Sequence, residues 1–347
     1  MDPGPGGAVM FSPDRLRAAV DRFRGKTVLV VGDLIADEYI YGKPSRISRE
    51  APVLILRFSS REVRLGGAAN ASHNVHALGG RVIPLGVLGN DPAGDEVWGL
   101  CRSLGIPTDG IVRTEERPTP VKTRIMAGGY HATRQQVVRV DREPAPVLDP
   151  TTEGALIDRA ASLGETADAI LLSDYGYGVL TPGLLEQVME GARKRGSLVA
   201  ADSRYDLLRY RGVTAATPNE SEVESLVGGP LEDEPALEKA GRQLLERLDC
   251  RYLLVTRGNR GMAVFEREGP ATFLPIHGSD EIADNTGAGD TVISTFTLAL
   301  AAGSPPVEAA WLANVAGGVV VMKQGTAPIV RAELLHALAS DGPPREP

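Results

Sequence analysis

The sequence has few cysteines, no block of basic residues and no long apolar run, and each shortage excludes a class of protein. Its two cysteines, Cys101 and Cys250, form no Cys-x-x-Cys pair, so neither a disulfide framework nor a zinc site is indicated. A net charge of −8 without a Lys/Arg cluster argues against a nucleic-acid partner. The longest apolar stretches, 291–302 and 309–322, fall short of a membrane span. Without a signal-peptide pattern at the start, we expect a soluble, cytoplasmic protein.

Two common phosphate-binding motifs are also missing. No Gly-x-x-x-x-Gly-Lys-Ser/Thr motif occurs, and no Gly-x-Gly-x-x-Gly follows the first predicted strand. These absences argue against a P-loop nucleotidase and against a dinucleotide-dependent dehydrogenase. A phosphate site therefore has to lie near the far end of the chain.

Predicted strands and helices alternate along most of the 347 residues. Apolar runs of strand length predict strands at 27–31, 81–88, near 110, 169–173, 197–201 and 252–256, and a short one at 213–216. Helical patterns predict helices at 12–23, 67–79, 92–104, 152–164, 182–195, 235–248, 288–302, 306–323 and 331–339. This rhythm predicts an α/β fold with a mostly parallel central sheet and helices on both faces.

Two segments interrupt the rhythm. Residues 39–63 and 120–141 alternate in polarity without an intervening helix, which predicts a small antiparallel sheet projecting from the core. Residues 1–11 and 341–347 are rich in Gly and Pro and are predicted to be disordered tails. No interior linker divides residues 12–340, so we expect a single domain.

The segment Asp284-Asn-Thr-Gly-Ala-Gly-Asp290 carries the strongest chemical signal. Gly287, Ala288 and Gly289 permit a tight turn whose amides stand free at the start of a helix, which is an anion site. Asp290 is then placed to act as a base beside a bound phosphate. The alternative is a Gly-rich turn in which Asp290 serves only as a helix-start residue.

Other polar and small residues fall at the carboxyl ends of predicted strands or at a helix start. They are Asp33, Asp174, Asp202, Asn219, Glu222, Thr256 and Gly258, together with Gly66, Gly67 and Asn70. Because the carboxyl ends of parallel strands meet at one edge, these residues predict a crevice suited to a ligand. One Asp or Asn alone means little, since both are common turn residues.

These motifs resemble those of a known family. Val31-Gly-Asp33, Gly66-Gly-Ala-Ala-Asn70, Thr217-Pro-Asn-Glu-Ser-Glu222, Val255-Thr-Arg-Gly258 and Asp284–Asp290 occur in the order typical of the ribokinase-like (PfkB) carbohydrate kinases. The resemblance covers about residues 25–330. It implies a ribokinase-like three-layer sandwich with a projecting β-sheet lid, and an enzyme that transfers phosphate from ATP, with Mg²⁺, to a sugar hydroxyl.

The resemblance also implies roles for individual residues. Asp290 corresponds to the base, and the amides of Gly287, Ala288 and Gly289 would stabilise the transferred phosphoryl group. The residues implied to border the nucleotide are Asn219, Glu220, Ser221, Glu222, Thr256, Gly258, Gly261 and Asn314. Glu222 would act on Mg²⁺ indirectly, through water. The residues implied to hold the sugar are Asp33, Gly66, Gly67, Asn70 and Asp174.

Within the family, the chain is most similar to the D-glycero-β-D-manno-heptose-7-phosphate kinases. Asp37-x-Tyr-x-Tyr-Gly42, Ser45-Arg-Ile-Ser48 and Leu172-Ser-Asp-Tyr175 carry this closer match, which implies conversion of the heptose 7-phosphate to the 1,7-bisphosphate. The cations expected to hold the distal phosphate are Arg46, Lys122, Arg124, Arg139 and Arg204. The alternative is that these charges only solvate the lid.

Tyr177 and Arg204 stand where these kinases usually carry lysine, which leaves the identity of the sugar open. Another sugar, sugar phosphate or nucleoside remains an alternative acceptor, and a non-catalytic ligand-binding relative is a further alternative. We also expect a homodimer formed through the lid, because its strands have open edges and apolar faces.

Overall fold

The computed structural model describes residues 11–128, 135–278 and 284–340. Of the predicted tails, residues 1–10 and 341–347 lie outside the described residues. The thirteen strands described, in chain order, are β1 (Thr27–Gly32), β2 (Leu34–Ile47), β3 (Leu54–Gly67), β4 (Arg81–Gly89), β5 (Ile111–Thr114), β6 (Val121–Ala127), β7 (Gln135–Arg142), β8 (Ala169–Asp174), β9 (Leu198–Ser203), β10 (Ala215–Ala216), β11 (Tyr252–Thr256), β12 (Met262–Glu266) and β13 (Thr272–Leu274).

Ten α-helices lie before, between or after these strands in the described ranges. They are α1 (Pro13–Asp21), α2 (Ala68–Ala77), α3 (Pro92–Ser103), α4 (Pro150–Leu163), α5 (Pro182–Arg195), α6 (Glu220–Val227), α7 (Glu234–Leu248), α8 (Ala288–Ala301), α9 (Pro306–Val320) and α10 (Arg331–Ser340). Several begin where an oxygen side chain caps free amides and a proline follows, as at Ser12, Asp91 and Asp149.

Nine strands form the central sheet in the order β13-β12-β11-β10-β9-β8-β1-β4-β5. All neighbours are parallel except the pairs of β12 with β11 and with β13. Side chains of β1 alternate between the two faces: Val28 and Val30 join the cluster that packs on α1, α2, α8 and α9, whereas Leu29 and Val31 join the cluster that packs on α4, α5 and α7. The predicted layers are thereby confirmed.

The lid is a four-stranded sheet in the order β3-β2-β6-β7. β2 pairs antiparallel with β3, and β6 pairs antiparallel with β7, but β2 and β6 run parallel, so the prediction of an entirely antiparallel lid is wrong. β2 follows directly on β1, and β6 follows β5; because β1 and β5 end at the same edge of a parallel sheet, both lid strands leave the core in the same direction.

The sequence patterns missed three elements, α6, β12 and β13. Helix α6 has eight residues, too few for a periodic apolar face, and β12 and β13 form a short antiparallel edge. None of the described helices is long and apolar enough to cross a bilayer.

Candidate active site

A cavity of about 370 Å³ opens at the carboxyl ends of the central strands, beneath the lid. It brings together many of the predicted site residues. Those in its wall are Gly67, Lys122, Arg124, Arg139, Asp174, Asp202, Arg204, Asn219, Glu222, Thr256, Gly287, Gly289 and Asp290. Residues from the lid, from the central strands and from α8 thus meet around one space.

Asp290 lies in the first turn of α8 and is buried. Its two carboxylate oxygens have different partners: the Asn70 amide donates to Oδ2 at 2.8 Å, and the Tyr175 hydroxyl donates to Oδ1 at 2.8 Å. Burial raises the pKa of Asp290 to about 6, although both hydrogen bonds favour the charged form and lower it. A carboxylate with such a pKa can accept a proton near neutral pH.

The start of α8 requires glycine. Gly287 has φ +79°, and a Cβ there would lie 2.8 Å from the Asn70 side-chain nitrogen. The Ala288 amide donates to the Asn285 carbonyl at 3.3 Å, so this predicted anion donor is already engaged. For the amides of Gly287 and Gly289, no acceptor occurs among the described residues, which leaves them able to face an anion.

Asp37, rather than Asp33, presents a carboxylate to the cavity on the lid side. It accepts hydrogen bonds from Arg124 at 2.6 Å and from the Thr326 hydroxyl at 2.8 Å. Gly66 is needed beside it, because a Cβ at that position would lie 2.8 Å from the Asp37 carboxyl carbon. Asp37 is therefore held rigidly at the base of the lid.

Asp33, predicted to hold the sugar, does not line the cavity. Its buried carboxylate accepts backbone N–H groups of Tyr175 at 2.8 Å, Tyr177 at 3.1 Å and Val179 at 3.3 Å. Burial raises the pKa of Asp33 to about 6 against these bonds. Asp33 thus anchors the loop after β8. Asn70 likewise contacts Asp290 rather than lining the cavity.

The predicted phosphate-binding cations differ in whether they form ion pairs with carboxylates. Arg124 is buried and paired with Asp37, and Arg139 donates to Asp141 at 3.0 Å. Lys122 and Arg204 also line the cavity, and neither has a carboxylate within ion-pair distance in the described part of the chain. Burial, followed by the charge of Arg204, lowers the pKa of Lys122. Arg46 is exposed on the outer part of β2 and is not in the cavity wall.

The opposite wall contains the start of α6. Asn219 and Glu222 form a capping box, in which each side chain accepts the other residue's amide at 2.9 Å. Asn219 also bridges to Thr256 at the end of β11. Burial raises the pKa of Glu222, and burial followed by the charge of Glu222 raises the pKa of Asp202 well above its usual range. Within the described residues neither acid forms an ion pair, although the nearby charge of Arg204 acts to lower the pKa of both.

The remaining predicted nucleotide residues lie outside the cavity wall. Glu220 forms ion pairs with Arg257 and Arg260, and Ser221 is exposed on α6. Gly258 and Gly261 flank the turn between β11 and β12. The Asn314 amide donates to the Pro275 carbonyl at 2.7 Å, which anchors the segment after β13 to α9.

Comparison with known proteins agrees with this geometry. The model of the pfkB family carbohydrate kinases matches residues 26–332. The chain belongs to the pfkB family. It is 42% identical over 311 residues to the bifunctional protein HldE of Geobacter sulfurreducens, covering 89% of this chain and 62% of that protein. With HldE of Mesorhizobium japonicum it is 42% identical over 337 residues, 96% of this chain and 66% of the relative. The chain spans less than two thirds of these curated relatives' length.

Solved structures of pfkB-type kinases share the fold. Ribokinase of Arabidopsis thaliana, complexed with ribose and ATP, has a TM-score of 0.69 at 19% identity, covering 92% of this chain and all of the ribokinase. Phosphofructokinase-2 of Escherichia coli has a TM-score of 0.74 at 18% identity, covering 90% and 98%. The ribokinase-like fold is therefore confirmed, and the protein is a carbohydrate kinase.

Several residues of the cavity wall were not among the predicted site residues. They are Asp37, Tyr175, Thr217, Asn285, Thr286, Val292 and Thr326. Asp37 was detectable, since it lies among the motifs that carry the family resemblance. The contact of Thr326 with Asp37 was not predictable from local patterns, because the two residues are 289 positions apart in the chain.

Proposed function

We propose that this kinase transfers the γ-phosphoryl group of ATP to the anomeric hydroxyl of D-glycero-β-D-manno-heptose 7-phosphate, giving the 1,7-bisphosphate. The observation that carries the proposal is the position of buried Asp290 at the start of α8, facing a cavity that is also lined by Lys122 of β6 and by Arg204, which follows β9. Neither cation forms an ion pair within the described residues, and a base together with such cations around one cavity suits an acceptor that is itself a phosphate ester.

In the reaction, the Asp290 carboxylate accepts the proton of the acceptor hydroxyl. The oxygen of that hydroxyl bonds to the γ-phosphorus, and the bond between the γ-phosphorus and the oxygen that leaves with ADP breaks. The free amides of Gly287 and Gly289 lie where negative charge on the transferred group is stabilised. Because the transition state is loose, positioning and electrostatics contribute more than the base. The lid, with Asp37 and Arg124 at its base, excludes water from the transfer.

The wall formed by Asp202 and Glu222 fits a magnesium ion that is bound to nucleotide phosphates. Mg²⁺ keeps several waters and needs only one or two protein carboxylates. The described residues contain no cluster of three or more metal-ligating side chains, so a site made of protein groups alone is not the arrangement proposed. When bound, Mg²⁺ neutralises phosphate charge. Asp202 and Glu222 would hold the ion through water, and Asn219 and Thr256 would border the phosphates.

The relatives support the choice of acceptor. The HldE proteins are about 40% identical to this chain over most of its length, and the closer sequence resemblance to heptose-7-phosphate kinases covers the first lid strand, β2. Lys122 and Arg204 are the residues we assign to the distal phosphate, with Arg139 at the rim. Arg204 stands at the position where these kinases usually carry lysine, and we assign it the same role.

The test is the rate of ADP release with a panel of acceptors at equal concentration. Heptose 7-phosphate should exceed ribose, fructose and adenosine by at least about tenfold in kcat/KM, which is about 1.4 kcal/mol of transition-state discrimination. Lys122→Met should erase most of that preference by raising KM for the phosphorylated sugar. If an unphosphorylated sugar or a nucleoside outperforms the heptose phosphate, the acceptor is wrong and a sugar kinase of other specificity remains.

We further propose that two copies pair through the lid. The large apolar side chains exposed on the lid strands are Ile47, Leu54, Phe58, Val137, Val138 and Val140. Apolar side chains concentrated on one small sheet favour its burial against another surface. Light scattering that reports a monomer at working concentrations would contradict this pairing.

A further inference from the structure

Asp290 is contacted by a side chain that neither the family motifs nor the proposed mechanism assigns to it. The Tyr175 hydroxyl donates to Asp290 Oδ1 at 2.8 Å, while Asn70 donates to Oδ2. The two donors thus form hydrogen bonds with both oxygens of one buried carboxylate. These two bonds fix the plane of the carboxylate, and because each oxygen has a second lone pair, a lone pair remains free for the acceptor hydroxyl.

The loop that carries Tyr175 is itself held by hydrogen bonds to its backbone. Asp33 accepts the amides of Tyr175, Tyr177 and Val179, and Arg117 donates to the Tyr177 carbonyl at 2.8 Å. Asp33 and Arg117 are both buried, so these bonds form in an environment of low dielectric. The loop therefore has little freedom to carry the hydroxyl away from Asp290.

The ring of Tyr175 forms a second contact, toward the lid. The Lys122 ammonium lies 4.5 Å from the centre of this ring, within the range of a cation–π interaction. Tyr175 thus contacts both the carboxylate at the transfer point and one of the cations of the cavity. Replacing the hydroxyl while keeping the ring separates these two contacts.

We propose that Tyr175 is a positioning residue for Asp290, whose hydroxyl holds the carboxylate in the orientation that accepts the proton of the acceptor. The reading of Asp290 as the base rests on the proposed function. The contact between Tyr175 and Asp290 does not, so it can be tested without any sugar.

The electrostatic consequence can be measured. A hydrogen bond to the charged carboxylate lowers the pKa of Asp290, so its removal raises that pKa. The other charged groups that face Asp290 are Asp37 of β2, Lys122 of β6 and Asp202 of β9. All of them remain in Tyr175→Phe, so a change in titration reports the lost hydroxyl.

The experiment is a pH titration of the ligand-free protein with ¹³C-labelled aspartate carboxyl groups, followed by NMR. Asp290→Asn identifies the resonance. The midpoint should move up by about half to one pH unit in Tyr175→Phe. Tyr177→Phe is the matched control, since it removes a hydroxyl of the same loop that donates to Glu143 and leaves the midpoint in place.

Two more measurements keep the test decisive. Asp33→Asn weakens the anchor of the loop and should shift the midpoint in the same direction, so the proposal stays testable if Tyr175→Phe folds poorly. With the acceptor present, Tyr175→Phe should lower kcat about tenfold, leave KM for ATP unchanged and move the acid limb of kcat/KM upward.

The proposal is overturned by an unmoved midpoint in Tyr175→Phe, by an equal shift in Tyr177→Phe, or by a shifted midpoint with unchanged kcat and pH profile. If the wild-type protein phosphorylates no sugar of the panel, the proposed function fails. The titration then still decides whether Tyr175 holds Asp290.

Discussion

The central sheet and the lid sheet of this kinase differ in how deeply their strands are buried and in how many charged side chains they carry. Strand β8 of the central sheet is buried along its whole length, and its apolar residues pack on helices at both faces. Strand β7 of the lid is exposed at nearly every residue, and the lid is crossed by ion pairs such as Arg124 with Asp37. The central sheet supplies rigidity through packing, whereas the lid supplies charge that can meet a ligand.

The largest expected effect tests this difference in packing. Leu172→Ala, in the fully buried β8, should lower the free energy of unfolding by about 2–5 kcal/mol. Val138→Ala, on the half-exposed face of β7, should change it by less than about 0.5 kcal/mol. Urea unfolding measures both variants. A comparable loss in the two would mean that the lid is covered as deeply as the core, as a tight dimer would require.

The second effect concerns chemistry at the junction of the two sheets. Asp290→Asn retains the size of the side chain but cannot accept the acceptor proton, so turnover should fall by about 10²-fold or more while nucleotide affinity persists. Steady-state rates measure the loss of turnover, and equilibrium nucleotide binding measures the affinity separately. Near-normal turnover would remove Asp290 from the role of base.

The third effect is a gain of stability from the same substitution. Because the pKa of Asp290 is raised to about 6 from 3.8, its contribution to stability is present below about pH 4 and is lost as pH rises through about 6. Asn cannot ionise, so the free energy of unfolding of Asp290→Asn should exceed that of the wild type by on the order of 3 kcal/mol at pH 8 and match it near pH 4. Denaturant midpoints at the two pH values measure the difference. A constant difference would contradict the raised pKa.

The smallest effect on the fold is expected for the outer lid. Phe58→Ser replaces a side chain that is 70% exposed, so the free energy of unfolding of the protomer should change by less than about 0.5 kcal/mol. If two copies pair through the lid, the same substitution should reduce the mass found by light scattering. An unchanged dimer would place the contact elsewhere.

Local sequence signals predicted the parallel part of the central sheet well, because its strands are short apolar runs and many helices start at a capping residue, but they missed the antiparallel edge formed by β12 and β13. These signals were less informative about the pairing of strands that are far apart in the sequence. The direction of β2 relative to β6 depends on the edge of the core from which each leaves, and no pattern within 39–63 or 120–141 encodes it. The Asn-x-x-Glu motif at 219–222 was read as ligand chemistry, yet it also carries the capping box that starts the missed helix α6.

The candidate site shows the same division. Asp290 and the glycines before it were predictable, since they are contiguous and their chemistry is local. The choice between Asp33 and Asp37 was not, because both are acidic residues close to the end of β1. Only the fold places one against the amides of the loop after β8 and the other against Arg124 and Thr326.

The parallel pairing of β2 with β6 has a consequence for how the chain is made. As synthesis proceeds, β2 and β3 can form a hairpin early, but the partner of the inner edge of β2 is translated only after β4, α3 and β5. Contacts of this separation slow folding, and an open strand edge can pair with other chains during the delay. The lid is therefore the part of the nascent chain that we expect to depend most on protection from aggregation.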